Sequence, residues 1–189
     1  PRLRRYRGYA PPFELQFRAG MPANAFALPG GTIVLTDDMV EQAARLPAGA
    51  GDTALLGVLA HEMGHVLHRH GTRMVVEQGV LQVGLGLALG DVSTLLSSGA
   101  SLLTGLAYQR GHERESDCFA IALMRQAGLG TAPMADLLGG IEAGGAAAPG
   151  PAASAPKPAA QPGRRADWFS THPDTAGRAE RLRAGQPCA

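Results

Sequence analysis

Between Ala54 and Gly71 the chain reads ALLGVLAHEMGHVLHRHG, an apolar run that carries His61, Glu62 and His65 inside it. A protein interior tolerates such groups only where something pairs with them. Whatever this chain folds into must therefore bring partners to that run, and a metal ion is the candidate.

His61, Glu62 and His65 spell H-E-x-x-H. On a helix, positions i and i+4 share a face, so both imidazoles can reach a single ion. Neutral imidazole suits Zn²⁺, with Zn–N at about 2.0–2.1 Å. Glu62 follows the first ligand by one residue and sits off the ligand axis, placed to hydrogen-bond a zinc-bound water rather than the metal. Zinc brings the pKa of that water towards about 7, and a neighbouring carboxylate can take its proton as it attacks a carbonyl. Three fixed positions also recur by chance. Here Met63 and Gly64 inside the motif, and Leu59, Ala60, Val66 and Leu67 around it, are all uncharged, which favours a metal over a purely structural histidine helix.

A catalytic zinc needs a third protein ligand and an open position. One known pattern places a glycine three residues after the second histidine and another histidine three further on; here those places hold His68 and Gly71, the reverse order. YQRGHERESDCFA is the better source. Glu113 and Asp117 are again i and i+4, so one carboxylate can bind zinc while the other orients a ligand histidine. An exposed face of Glu, Arg and Asp is the plain alternative. Glu115 is expected to face solvent, His68 and His70 to be structural or exposed, and His112 is left undecided.

The rest of the chain reads as a small antiparallel β element beside a mostly helical body. FELQFRA alternates Phe13, Leu15 and Phe17 with Glu14, Gln16 and Arg18, the pattern of a half-buried strand. NAFALPGGTIVLT holds two further strand-like runs around the Pro29-Gly30-Gly31 turn. Helices are expected over Asp37–Leu46 with Thr36 or Asp37 as cap, and from an Asp52 N-cap through the histidines. Further helices are expected between Val75 and Tyr108, over Arg110–Ala127 closed by Gly128, after Thr131 and Pro133, and at the end of the chain. Residues 143–166, Ala, Pro and Gly with scattered Ser and Lys, read as a flexible linker inside a single domain spanning 1–189.

At 189 residues and 45% hydrophobic the chain can bury a core, and a net charge of +1 implies neither a nucleic-acid nor an acidic partner. Arg2, Arg4, Arg5 and Arg7 form the basic cluster, a solvated arm or a juxtamembrane one. Cys118 and Cys188 cannot form a disulfide framework and match no metal spacing; one disulfide between them is possible but not suggested. No segment reaches the ~18 uninterrupted apolar residues of a membrane span. The chain begins at Pro1 without a methionine, which leaves an upstream signal or anchor open.

NAFALPGG, LAHEMGHVLHRH, YQRGHERESDCFA and STHPDTAGRAERL, in that order, resemble the zinc metallopeptidase family 48 of HtpX and the CAAX prenyl proteases, closest to its bacterial soluble-domain members. The motifs run from Asn24 to Leu182, and two positions depart from the family pattern: Gln109 stands where a serine is usual, and Ser116 where an alanine is. The resemblance implies an α+β, mainly helical zincin-like (gluzincin) domain with a small antiparallel sheet edging the active-site cleft. It implies one zinc held by His61, His65 and Glu113, with Glu62 as base and Asp117 behind the ligands. The Asn24, Ala25 and Phe26 strand would bind an extended polypeptide through its main chain. Pro173 and Asp174 read as a helix start with His172 at its cap, aiming the imidazole at the zinc. There His172 would stabilise the oxyanion or occupy the open coordination position at rest, and Arg178 would face the cleft carboxylates or the substrate.

The expectation is thus a zinc metalloendopeptidase acting in protein quality control at the bacterial cell envelope, membrane-associated or periplasmic. It would have polypeptide substrates, no nucleic-acid partner, and an apolar Val75–Leu106 region able to touch a membrane surface. The competing expectation is a peptide-binding or chaperone-like module whose zinc is structural or whose site is kept shut.

Overall fold

The computed structural model describes residues 12–76, 110–146, 168–172 and 175–188. Three strands, β1 (Glu14–Arg18), β2 (Ala25–Ala27) and β3 (Thr32–Thr36), are followed by α1 (Asp37–Ala44) and α2 (Ala50–Leu67). Then come α3 (Arg110–Gln126), α4 (Ala132–Ala146), the short α5 (Trp168–Thr171) and α6 (Thr175–Ala184). The fold is α+β and mainly helical, a zincin-like domain with a small sheet.

The sheet is mixed rather than antiparallel. Its order is β1-β3-β2, with β2 antiparallel to β3 through the turn at Pro29-Gly30-Gly31, and β1 parallel to β3. Strand alternation locates strands but not their partners, because pairing is decided by contacts far away in sequence. Central β3 buries Ile33, Val34 and Leu35, while Leu15 and Phe17 on edge strand β1 are exposed instead of half-buried.

Thr36 ends β3 and caps α1, its hydroxyl accepting from Met39 N at 3.4 Å. The same hydroxyl accepts from Asn24 N and donates to Asn24 O, which ties the start of β2 to the helix cap. α2 begins two residues before Asp52, after Gly49 at φ 79°, so Asp52 is not the cap. It lies in the first turn, where a carboxylate still meets the positive end of the helix dipole. α3 ends with Gly128 at φ 76°, as its glycine suggested.

α2 runs through the middle of the domain, against α3, α4, α1 and β2. One core gathers Leu35, Met39, Val58, Ile121, Met134 and Trp168 from strands and helices, and a second collects Ala60, Phe119, Leu123 and Met124 between α2 and α3. Gly64 allows the two helices to close: a Cβ there would stand 2.9 Å from Ser116 Cα. A disulfide joins Cys118 on α3 to Cys188 beyond α6, although the sequence suggested no pairing.

Helix α4 extends through Ala146, so the first residues assigned to the linker are helical. The remainder of the linker, Arg2 to Arg7, nearly all of Val75–Tyr108, and Pro173 and Asp174 lie outside the described residues. No helix among the described residues is long and apolar enough to cross a membrane.

Candidate metal centre

The close approach at Gly64 sets the first turn of α3 against the middle of α2. His61 and His65, one turn apart on α2, point their Nε2 atoms at the same spot, 3.0 Å from each other. Glu113 faces them from α3, with Oε2 3.4 Å from His61 Nε2 and Oε1 3.2 Å from His65 Nε2. His172, just beyond α5, completes the group; ligand atoms of all four lie within 4.8 Å of one another, and all four residues are buried. Glu113 Oε1 faces His65, while Oε2 faces His61 and Arg178. A buried carboxylate with two imidazole nitrogens converging beside it is the donor set of a zinc ion. The residues present fit the metal.

Each donor is held from behind. His61 Nδ1 lies 2.9 Å from Asp117 Oδ1, so its proton belongs on Nδ1 and its Nε2 lone pair is left for the metal. Arg178, brought over by α6, grips Asp117 with Nε and Nη2 at 2.9 Å each and forms an ion pair with Glu113 through Nη1. Of the two positions foreseen for Arg178, it takes the one against the carboxylates, and its side chain is 2% exposed. His65 Nδ1 rests 3.0 Å from Nδ1 of His70.

His172 is placed by a stack and a hydroxyl. Its ring lies flat on Trp168, centroids 4.0 Å apart, and its Nδ1 is 2.8 Å from Thr171 Oγ1. Nε2 is thereby directed at Glu62, 3.3 Å from Oε1. Its backbone N–H donates to Trp168 O at 2.8 Å, closing the turn before it. The expected helix cap involves Pro173 and Asp174 and falls outside the described residues. Thr171 also donates to the Asn24 side chain at 3.3 Å. Asn24 and Ala25 are consequently turned into the protein, and Phe26 is the half-buried member of that strand.

These environments divide the charges. Burial alone would depress His61, but its contacts with Asp117 and Glu113 raise it to about 9. His65, desolvated and beside His61, is pushed down to about 3. Burial pushes the Glu62 carboxyl up, yet His172 and then His65 and His61 outweigh it and hold it below the usual range. Burial likewise opposes ionisation of Glu113, and the His172 charge with the bonds from His61 and His65 drives it far below that range.

A cavity of about 450 Å³ runs from the end of β2 to the centre, lined by Ala27, Pro29, His65, Leu67, Arg69 and Thr72 among others. β2 is an edge strand beside it among the described residues. Sequence reasoning did not find Trp168 and Thr171, which aim His172, or the link from His65 through His70 to Glu115. Glu115 does face solvent, as expected, but also holds His70 at 3.0 Å.

Two histidines a turn apart on α2, faced by a carboxylate from α3, define a zincin-like domain with a candidate metal centre. The chain belongs to peptidase family M48, whose family model matches residues 7–186. It is 29% identical over 118 residues to a putative beta-barrel assembly-enhancing protease of Vibrio cholerae, covering 56% of this chain and 23% of that one. It is 32% identical over 107 residues to the mitochondrial metalloendopeptidase OMA1 of Saccharomyces cerevisiae, covering 55% of this chain and 29% of that one. The match thus spans under a third of the length of either relative.

Proposed function

We propose that this chain is the catalytic domain of a zinc-dependent metalloendopeptidase with one tightly held Zn²⁺. The observation that carries the reading is the convergence of His61, His65 and Glu113 on one point beside a buried Glu62. A zinc ion held there would polarise the scissile carbonyl and acidify the attacking water. Glu62 is the base that takes the water's proton and returns it to the leaving amine. Its Oε1 faces His172 Nε2 at 3.3 Å, which keeps the carboxylate ionised and ready for that exchange. Asp117 and Arg178 act as positioning residues: Asp117 fixes the His61 proton on Nδ1, and Arg178 holds both carboxylates in place. The edge of β2 offers main-chain groups to an extended polypeptide along the adjoining cavity.

His172 takes either of two positions in this scheme, beside the developing oxyanion or on the fourth coordination position at rest. Its burial, with the rest of the donor set, supports a site that is shut until substrate enters. That burial is also what favours the second reading, a peptide-binding module whose site stays closed.

A role in protein quality control at a bacterial envelope draws support from the likeness to the Vibrio protein, named a putative beta-barrel assembly-enhancing protease. The Cys118–Cys188 disulfide adds to it, because such bonds persist in oxidising compartments. Contact with a membrane surface is part of the same proposal, supported by exposed Leu15, Phe17 and Val76; flotation with anionic liposomes tests it.

Metal analysis tests the centre itself. Glu113→Gln should lose zinc by about 10-fold or more relative to wild type, while Glu62→Gln keeps it, since only the first removes a bond to the ion. Equal retention in both variants would remove Glu113 from the ligand set.

A further inference from the structure

Helix α2 ends in a turn at His68 and Arg69, and helix resumes at His70. Arg69 has φ 56°, the one left-handed non-glycine residue among those described. A Cβ strains that conformation, and glycine would relieve it. The turn returns His70 beneath His65, buried, with the two Nδ1 atoms 3.0 Å apart. On its other side His70 Nε2 lies 3.0 Å from Glu115 Oε2, and His68 Nδ1 lies 3.7 Å from the same oxygen. Ligand atoms of His68, His70 and Glu115 fall within 4.8 Å of one another. The cluster opens outward, the His68 and Glu115 side chains being 41% and 51% exposed. His112 stacks on the His70 ring at 4.1 Å, and its buried Nδ1 has no hydrogen-bond partner among the described residues.

We propose that His68, His70 and Glu115 form a second, weaker site for a transition-metal dication. The site stands on this donor set, independently of the metal reading of His61, His65 and Glu113. Two imidazoles and a carboxylate suit zinc, cobalt or nickel, whereas calcium and magnesium want oxygen alone. Exposure of two donors, and the positive charge of Arg73 near Glu115, make the outer site the weaker.

Calorimetric titration of the full chain with zinc tests the site. Wild type is expected to bind two equivalents, the second more weakly than the first. His68→Ala should bind one equivalent and cleave unfolded polypeptide at the wild-type rate. A wild type that stops at one equivalent overturns the site, as does a second equivalent that survives in both His68→Ala and Glu115→Ala. Failure of the inner reading has a different signature: His68→Ala would then bind no zinc at all.

Discussion

His61, Glu62, His65, Glu113, Asp117 and Arg178 lie along the α2–α3 seam at 2% exposure or less, while Leu15 and Phe17 on β1 stand 43% and 62% exposed. The polar groups are inside and the apolar ones outside, each against the ordinary preference. The difference between the regions is in how their residues depend on one another. On the seam every charge is some other group's partner, so removing one strands the rest in a medium that cannot solvate them. On β1 the side chains depend on little within the domain. Sensitivity to substitution should therefore follow pairing rather than hydrophobicity.

The sharpest way to break that comparison is Arg178→Met. It leaves Asp117 and Glu113 without their shared cation, and breaking a buried pair of this kind costs about 3–5 kcal/mol. Urea unfolding of the metal-free chain checks it; a loss below about 1 kcal/mol would mean the carboxylates do not depend on Arg178. Gly64→Ala probes the packing on which the seam depends. The added methyl meets Ser116 Cα at 2.9 Å, backbone that cannot swing aside, and overpacking costs about 1–3 kcal/mol. The same urea midpoint reads it, and an unchanged midpoint would show that α2 and α3 can separate freely. At the other end, Phe17→Ser should stay within about 0.5 kcal/mol of wild type. A larger loss would show that β1 is covered after all, and would erase the contrast.

Much of the seam was legible because helical spacing is local information. H-E-x-x-H put His61 and His65 on one face, and Glu113 and Asp117 repeated the same interval on a second helix. The structure puts the two faces together, with Glu113 at the imidazoles and Asp117 behind His61. What escaped depends on contacts distant in sequence or on backbone states with no residue signal. His70 follows His65 by five positions, off its face on an unbroken helix, and meets it only because Arg69 adopts a conformation that glycine would advertise. The parallel pairing of β1, the exposed face of that strand and the bond between Cys118 and Cys188 are likewise set by where distant elements pack. Asp52 had the right chemistry for a cap but lay two residues inside the helix it was expected to begin.

The central claim is that the buried polar seam is a metal centre with Glu62 as its working base, and one substitution addresses it directly. Glu62→Gln keeps the shape and removes the charge, touching none of the three residues assigned to the ion. Zinc content and cleavage of an unfolded polypeptide should be measured on the same preparation. Zinc should remain at one per chain while turnover falls by about 10²–10⁴-fold, the usual contribution of a general base. A Glu62→Gln protein that retains its zinc and cleaves as wild type does would contradict the assignment.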